Sequence, residues 1–277
     1  MKPMTSRERV RNALEFKEVD RIPIENYHEG INELYPSDVW SPTFKYGKGQ
    51  RSGVINRKGS WVDEWGCVWV AAEEDVKGEV KHSPLNDWAA FDRFQPPWDV
   101  LDEADLSMVD RQCHESDKFM ISFWDTAASP FQRMQFLRGT ENLFLDLAYG
   151  DANVYKLRDM VHEYFMRQLN MWVRTAVDGI HIEDDWGAQH SLLISPKLWR
   201  EFYKPLYKDY CDLAHSYGKY VLMHSDGYIM EIIPDLIEIG VDAVNPQLFC
   251  MDIEELAKLY HHKIAFWGEI DRQYLLP

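Results

Sequence analysis

The stretch DGIHIEDDWG (178–187) is the first of four short apolar runs that end in ionisable or amide side chains. The others are KYVLMHSDG (219–227), VDAVNPQ (241–247) and KIAFWGEID (263–271). Continuous apolar runs are typical of parallel strands that are buried on both faces. Helix-like segments separate the first three runs, and the last three follow one another at roughly the spacing of one βα unit. The pattern predicts an α/β fold of the (β/α)8, or TIM-type, barrel class.

Polar side chains at the ends of these runs predict an enzyme, because the active site of such a barrel lies where the strands end and the βα loops begin. The predicted catalytic residues are Glu183, Asp185, His224 and Asp226. The predicted substrate-binding residues are His28, Trp186, Gln189, Asn245, Gln247, Glu269 and Asp271.

His224 and Asp226 form the strongest local pattern. Residues i and i+2 of a strand point to the same side, so an imidazole and a carboxylate face one point, which suits a metal ion. Glu183 or Asp185 from the neighbouring strand end is the further ligand, and the predicted metal set is His224, Asp226 and Glu183. Zn²⁺ leads on ligand type, with carboxylate-rich options such as Mn²⁺ behind it. The alternative is that His224 and Asp226 form a structural pair or bind substrate.

Three consecutive acids, residues 183–185, end the first of the four runs. Mutual repulsion makes it costly to keep all three ionised unless a cation or a hydrogen-bond donor lies beside them. One of them is therefore expected to act in catalysis or to bind a metal. The alternative roles are the N-cap of the next helix and a salt bridge to Arg200.

Charge and composition exclude several classes of partner. The formal net charge of −16 and the lack of a basic run disfavour nucleic acid. No apolar stretch of 18 residues is present, so no membrane span is expected. The N-terminus has no apolar signal region, and the four cysteines lack paired spacing. These features predict a cytoplasmic protein that acts on a small molecule.

The chain of 277 residues is predicted to form one domain, with an irregular β-containing excursion at about 36–100. Helix 6–17 and a first strand at 21–25 precede the excursion, and Pro205 is expected to divide one of the later helices. About seven strands are predicted where a closed barrel has eight, so either an early strand is not recognised in the sequence or the fold lacks its last βα unit.

Several longer segments resemble the uroporphyrinogen decarboxylase superfamily. They are TSRERVRNALEFKEVDRIP (5–23), DDWGAQ (184–189), LLISPKLWREFYKP (192–205), HSDG (224–227), EIIPDLIEIGVDAVNPQ (231–247) and FWGEIDRQYLLP (266–277). The resemblance covers nearly the whole chain. It implies a (β/α)8 barrel with its site at the carboxyl ends of the strands, and a further βα unit after residue 277.

Two branches of the superfamily differ in chemistry. The decarboxylases bind a polycarboxylate porphyrinogen and have an arginine-rich segment after the first strand. The corresponding segment here, Ile22–Tyr35, has no Arg or Lys but three Glu residues. The zinc methyltransferases that act with corrinoid proteins typically have His-x-Cys where this chain has His224-Ser225-Asp226, and another cysteine near the C-terminus. The chain is thus closer to the methyltransferase branch, with an oxygen ligand in place of a thiolate.

The resemblance implies a methyltransferase that moves a methyl group from a small methylated substrate to a corrinoid carried by a partner protein. The tryptophan content suggests a methoxylated aromatic as the substrate. A uroporphyrinogen decarboxylase, which needs no metal or cofactor, is one alternative. A truncated or degenerate barrel that binds a ligand without turnover is the other.

Overall fold

The computed structural model describes residues 3–26, 35–47, 58–74, 78–122, 126–269 and 271. The chain forms two compact units. The first consists of Met1–Thr43, Ser107–Ala128 and Leu169–Pro277, and the second of Phe44–Leu106 and Ser129–Gln168. Most of the predicted excursion at 36–100 belongs to the second unit. A single domain over 1–277 stays a prediction.

The strands are β1 (Val39–Trp40), β2 (Gly59–Val62), β3 (Val68–Ala71), β4 (Glu79–His82), β5 (Phe119–Met120), β6 (Gly179–Glu183), β7 (Tyr220–Ser225), β8 (Ala243–Pro246) and β9 (Ala265–Phe266). The α-helices are α1 (Ser6–Leu14), α2 (Trp98–Asp102), α3 (Val109–Glu115), α4 (Pro130–Arg138), α5 (Thr140–Tyr149), α6 (Ala152–Trp172), α7 (Pro196–Phe202), α8 (Lys204–Ser216), α9 (Ile233–Ile239) and α10 (Ile253–Tyr260). Short 3-10 helices lie at Trp88–Arg93 and Leu248–Cys250.

The first unit is built on parallel strands. β1 pairs with β5, and β6, β7, β8 and β9 pair in sequence order. A parallel bridge between Ile121 and Gly179 joins β5 to β6. The arrangement is the predicted α/β one with parallel strands, and the strands of the described residues do not close into a ring.

Helix α1 packs on the interior of this unit. Thr5 and Glu8 form the predicted capping box at its start. Val10 belongs to a core cluster that includes Leu222 of β7 and Ala243 of β8. Arg7 pairs with Asp178, which directly precedes β6. The helix therefore lies at the amino ends of the strands, which leaves their carboxyl ends for a site.

The beginning of the chain differs from the prediction. Residues 21–25 are not a strand, and the first strand is β1 instead. The reason is the buried carboxylate of Asp38, which accepts hydrogen bonds from the Ile24 backbone and from Arg21. The Asp38 side chain thus satisfies the Ile24 N–H that a strand ladder would have paired.

The division of the later helix at Pro205 is confirmed. Ser195 caps α7, and its hydroxyl accepts a hydrogen bond from the Leu198 backbone. Pro205 lies in the first turn of α8, where its missing N–H leaves no hydrogen bond unmade.

In the second unit, β2, β3 and β4 form an antiparallel sheet, and Trp69 of β3 packs edge-on against Phe136 of α4. The buried carboxylate of Asp63 accepts hydrogen bonds from the Cys67 backbone and from the indole of Trp69. Trp65 is buried against Tyr164. These tryptophans pack the unit's own core.

Candidate active site

Three neighbouring strands of the first unit carry a row of polar residues at their carboxyl ends. Glu183 on β6 pairs in register with His224 on β7, and His224 pairs with Asn245 on β8. Strand residues in register share one face of a parallel sheet. The structure therefore brings together the acid, imidazole and amide that the sequence predicts at this end.

His224 faces two carboxylates. Its Nε2 lies 3.6 Å from Oδ1 of Asp185 and 3.6 Å from Oδ1 of Asp226. These separations are longer than hydrogen bonds. Ligand atoms around a tetrahedral zinc ion lie roughly 3.4 Å apart, given bonds of about 2.1 Å. The spacing therefore suits three atoms that share one ion.

Asp185, His224 and Asp226 are the group of possible metal ligands found in the described part of the chain, with ligand atoms within 4.8 Å of one another. The predicted metal set contains Glu183 in place of Asp185. Glu183 pairs in register with His224. The acid whose ligand atom lies close to those of His224 and Asp226, however, is Asp185. The three side chains are half-buried, so they are open to a ligand.

Backbone hydrogen bonds continue the β6–β7 ladder past the strand ends and fix the two aspartates. The Asp184 N–H donates to the His224 carbonyl, and the Gly187 N–H donates to the Asp226 carbonyl. The Asp226 N–H in turn donates to Oδ1 of Asp185. The carboxylate of one loop is thus anchored to the backbone of the other.

Two glycines make this approach possible. A Cβ on Gly187 would lie 2.3 Å from the carbonyl carbon of Gly227 and 2.3 Å from the nitrogen of Tyr228. Gly227 has a positive φ of 79°, which favours glycine. Gly227 directly follows Asp226, and a glycine at that position predicts a turn after the strand. The role of Gly187 was missed, although the glycine directly after the acids could have suggested it.

The buried Asp184 lies apart from the two site aspartates. Its Oδ2 accepts a hydrogen bond of 2.6 Å from the hydroxyl of Tyr207, which also accepts one from the indole of Trp186. Burial and the nearby Asp184 raise the pKa of Tyr207 well above its usual value. The next helix, α7, is capped by Ser195, and Arg200 pairs with Asp235.

Trp186 packs inside this aromatic cluster. Its ring is completely buried and lies edge-on against Tyr203 and Trp199. A completely buried ring offers no surface to a substrate. We therefore leave Trp186 out of the proposed substrate-binding set.

A sequence model of the uroporphyrinogen decarboxylase (URO-D) family matches residues 69–276, which is well over half of the chain. The chain belongs to the URO-D family. The matched region includes every strand of the site, so the strand-end residues described above lie within the family's own fold.

A solved structure supports the fold assignment. A methyltransferase from Methanosarcina mazei superposes with a TM-score of 0.63 and 14% sequence identity, over 96% of this chain and 82% of that one. At this identity the likeness establishes the barrel fold. No curated protein sequence matches the chain.

The other predicted substrate-binding residues of this URO-D protein lie around the same strand ends or near them. The Gln247 side-chain oxygen accepts a hydrogen bond from the Gly227 N–H. Glu269 and Asp271 follow β9 and are half-buried, while Gln189 is exposed. The predicted residue His28 lies outside the described residues.

His181 lies two residues before Glu183 on β6 and is completely buried. Burial, together with the neighbouring His224, lowers the pKa of His181 well below its usual value. Its imidazole is therefore neutral near pH 7 and brings no positive charge to the site.

Proposed function

We propose that this URO-D family member is a metal-dependent methyltransferase that passes a methyl group from a small methylated substrate to a corrinoid on a partner protein. The observation that carries the proposal is the group formed by Asp185, His224 and Asp226 at the strand ends. One imidazole and two carboxylates are a competent ligand set for Zn²⁺, harder than one with thiolates. The name of the structural neighbour, a methyltransferase, supports the same reaction class.

A divalent metal bound there would supply Lewis acidity to the heteroatom that carries the methyl group. The residues of the chain have separate tasks in this proposal. Asp185, His224 and Asp226 hold the ion, and an ion shared by the three relieves the repulsion between the two carboxylates. Gln247, Glu269 and Asp271 surround the substrate. Glu183 is left for acid–base work on the heteroatom.

Electrostatics argue against the decarboxylase alternative. Porphyrinogen substrates of decarboxylases carry many carboxylates, and the chain has a formal net charge of −16. The segment Ile22–Tyr35 contains no Arg or Lys. Two carboxylates also face His224 in the site. A polyanion would meet repulsion at long range and at the site itself.

The test is methyl transfer to reduced cobalamin, followed by its absorbance change. The donors are 2-methoxyphenol, methanol and methylamine, and the protein is either zinc-loaded or stripped with a chelator. We expect transfer from at least one donor with the zinc-loaded protein and none with the stripped protein. Full activity of stripped protein, or no transfer from any donor, would contradict the proposal.

A matched pair of histidine variants makes the test specific. His224→Ala removes the ring at the site, whereas His190→Ala removes an exposed ring from the loop after β6. We expect His224→Ala to lose zinc and activity while it keeps the fold. His190→Ala should keep its zinc and its activity. Elemental analysis of the two purified proteins measures the metal content directly.

A further inference from the structure

Asn245 connects His224 to the next strand. Its Oδ1 lies 2.6 Å from Nδ1 of His224, and its Nδ2 donates a hydrogen bond of 2.7 Å to the backbone carbonyl of Trp267. Asn245 and His224 are partners in register on β8 and β7. The amide therefore bridges the imidazole to the end of β9.

These contacts determine where the imidazole carries its proton. A backbone carbonyl only accepts hydrogen bonds, so the amide atom beside Trp267 must be the NH₂ group. The oxygen of Asn245 then faces His224, and the bond forms only if Nδ1 carries the hydrogen. In the neutral ring, Nε2 then carries no hydrogen, and it lies 3.6 Å from Oδ1 of Asp185 and 3.6 Å from Oδ1 of Asp226.

The lack of a side chain at Gly268 leaves the space that the Asn245 amide occupies. A Cβ on Gly268 would lie 2.3 Å from Nδ2 of Asn245. Gly268 also has a positive φ of 98°, where other residues are strained. A side chain at 268 would thus push the amide away from Trp267, and with it the acceptor that faces His224.

We propose that Asn245 and Gly268 are positioning residues that fix His224 in the Nδ1–H tautomer and present Nε2 to Asp185 and Asp226. A hydrogen bond at the second ring nitrogen commonly sets the orientation and basicity of a metal-binding histidine. The expected effect on metal affinity rests on the proposed function. The tautomer itself does not, because the contacts that select it involve no metal.

Nitrogen-15 spectra of histidine-labelled, metal-free protein measure the tautomer, at a pH where the ring is neutral. The chain has 10 histidines, so the His224 signal is assigned by its loss in His224→Gln. We expect the wild-type ring to carry its proton on Nδ1. An Nε2–H ring in the wild type would overturn the proposal.

Two variants test the two positioning residues. Asn245→Leu removes the acceptor and should give a mixture of tautomers. Gly268→Ala should do the same by displacing the amide. The control is Gly150→Ala, at another positive-φ glycine with open space around its Cβ position, and it should leave the His224 signal unchanged.

Zinc titration of the same proteins separates this proposal from the proposed function. Asn245→Leu and Gly268→Ala should bind zinc about 10- to 100-fold more weakly than the wild type. If the tautomer shifts as expected but no protein binds zinc, the positioning role stands and the proposed function fails. An unchanged tautomer in a folded Asn245→Leu or Gly268→Ala variant would overturn the positioning role.

Discussion

At the scale of single residues, the consecutive acids 183–185 show how neighbours in sequence take different roles. Asp184 is buried and bonded to Tyr207, whereas Asp185 faces His224. Glu183 stands in the strand row beside His224. The sequence predicts that one acid of this cluster binds the metal. It does not show which, because the choice depends on how the chain turns after Glu183.

The first prediction separates the two candidate acids of the metal group. Asp185→Asn removes a charged oxygen ligand and should weaken zinc binding by on the order of 100-fold. This loss is at least as large as the loss of affinity when a residue that hydrogen-bonds to a metal ligand is replaced. Glu183→Gln should change the affinity far less, because Glu183 is not in the group of converging ligand atoms. Calorimetric titration of the two variants measures both. A larger loss in Glu183→Gln would return Glu183 to the metal site.

The second prediction concerns the buried partner of Asp184. Tyr207→Phe leaves a buried carboxylate without its 2.6 Å hydrogen bond and the Trp186 indole without its acceptor. Such losses cost about 1–3 kcal/mol or more, so the midpoint of urea denaturation should fall clearly. Tyr217→Phe replaces an exposed tyrosine after α8, and its free energy of unfolding should stay within about 0.5 kcal/mol of the wild-type value. Equal midpoints for the two variants would show that the Asp184 contact adds nothing.

At the scale of elements, the two loops after β6 and β7 act as one piece because Gly187 and Gly227 touch. Gly187→Ala would place a methyl group against backbone atoms that cannot move aside easily. We expect a loss of about 1–3 kcal/mol or more in the free energy of unfolding, together with weaker zinc binding. Gly218→Ala has open space around its Cβ, and should cost about 1–2 kcal/mol from its positive φ while it leaves zinc binding intact. Normal zinc affinity in Gly187→Ala would contradict the coupling of the loops.

The end of α8 provides a pH-dependent contact away from the site. Asp242 accepts a hydrogen bond from His215 at 3.0 Å and raises the pKa of His215 above its usual value of about 6.5. A raised pKa in the folded state stabilises the fold below about pH 6.5, and this contribution disappears as the pH rises through the raised pKa. The difference in Tm between wild type and His215→Gln should thus be larger at about pH 5.5 than at about pH 8.5. A larger Tm difference at the higher pH than at the lower pH would show that the contact does not stabilise the fold.

The elements of the second half could be predicted well because each has a strong local signal. The apolar runs give β6, β7 and β8, and Ser195 with Pro205 marks the limits of α7 and α8. The first strand could not be predicted in the same way. Its position depends on Asp38, which binds Ile24 and Arg21 from a distance in sequence. The contact of Asn245 with His224 also needs the register of β8, which no local pattern contains.

At the scale of the whole molecule, charge is the property that most limits function. The formal net charge is −16. In the described part of the chain, no helix is both long and apolar enough to cross a membrane. A chain with this charge should repel a polycarboxylate porphyrinogen. Incubation with uroporphyrinogen should therefore yield no coproporphyrinogen, and product formed at an enzyme-like rate would overturn the proposed methyltransferase function.

The most direct test of the central claim is the position of a metal ion. A crystal soaked with Zn²⁺ and measured at the zinc absorption edge would locate the ion by its anomalous signal. We predict a peak about 2.0–2.2 Å from Nε2 of His224 and from one oxygen each of Asp185 and Asp226. A zinc-soaked crystal with no peak among these three side chains would contradict the account.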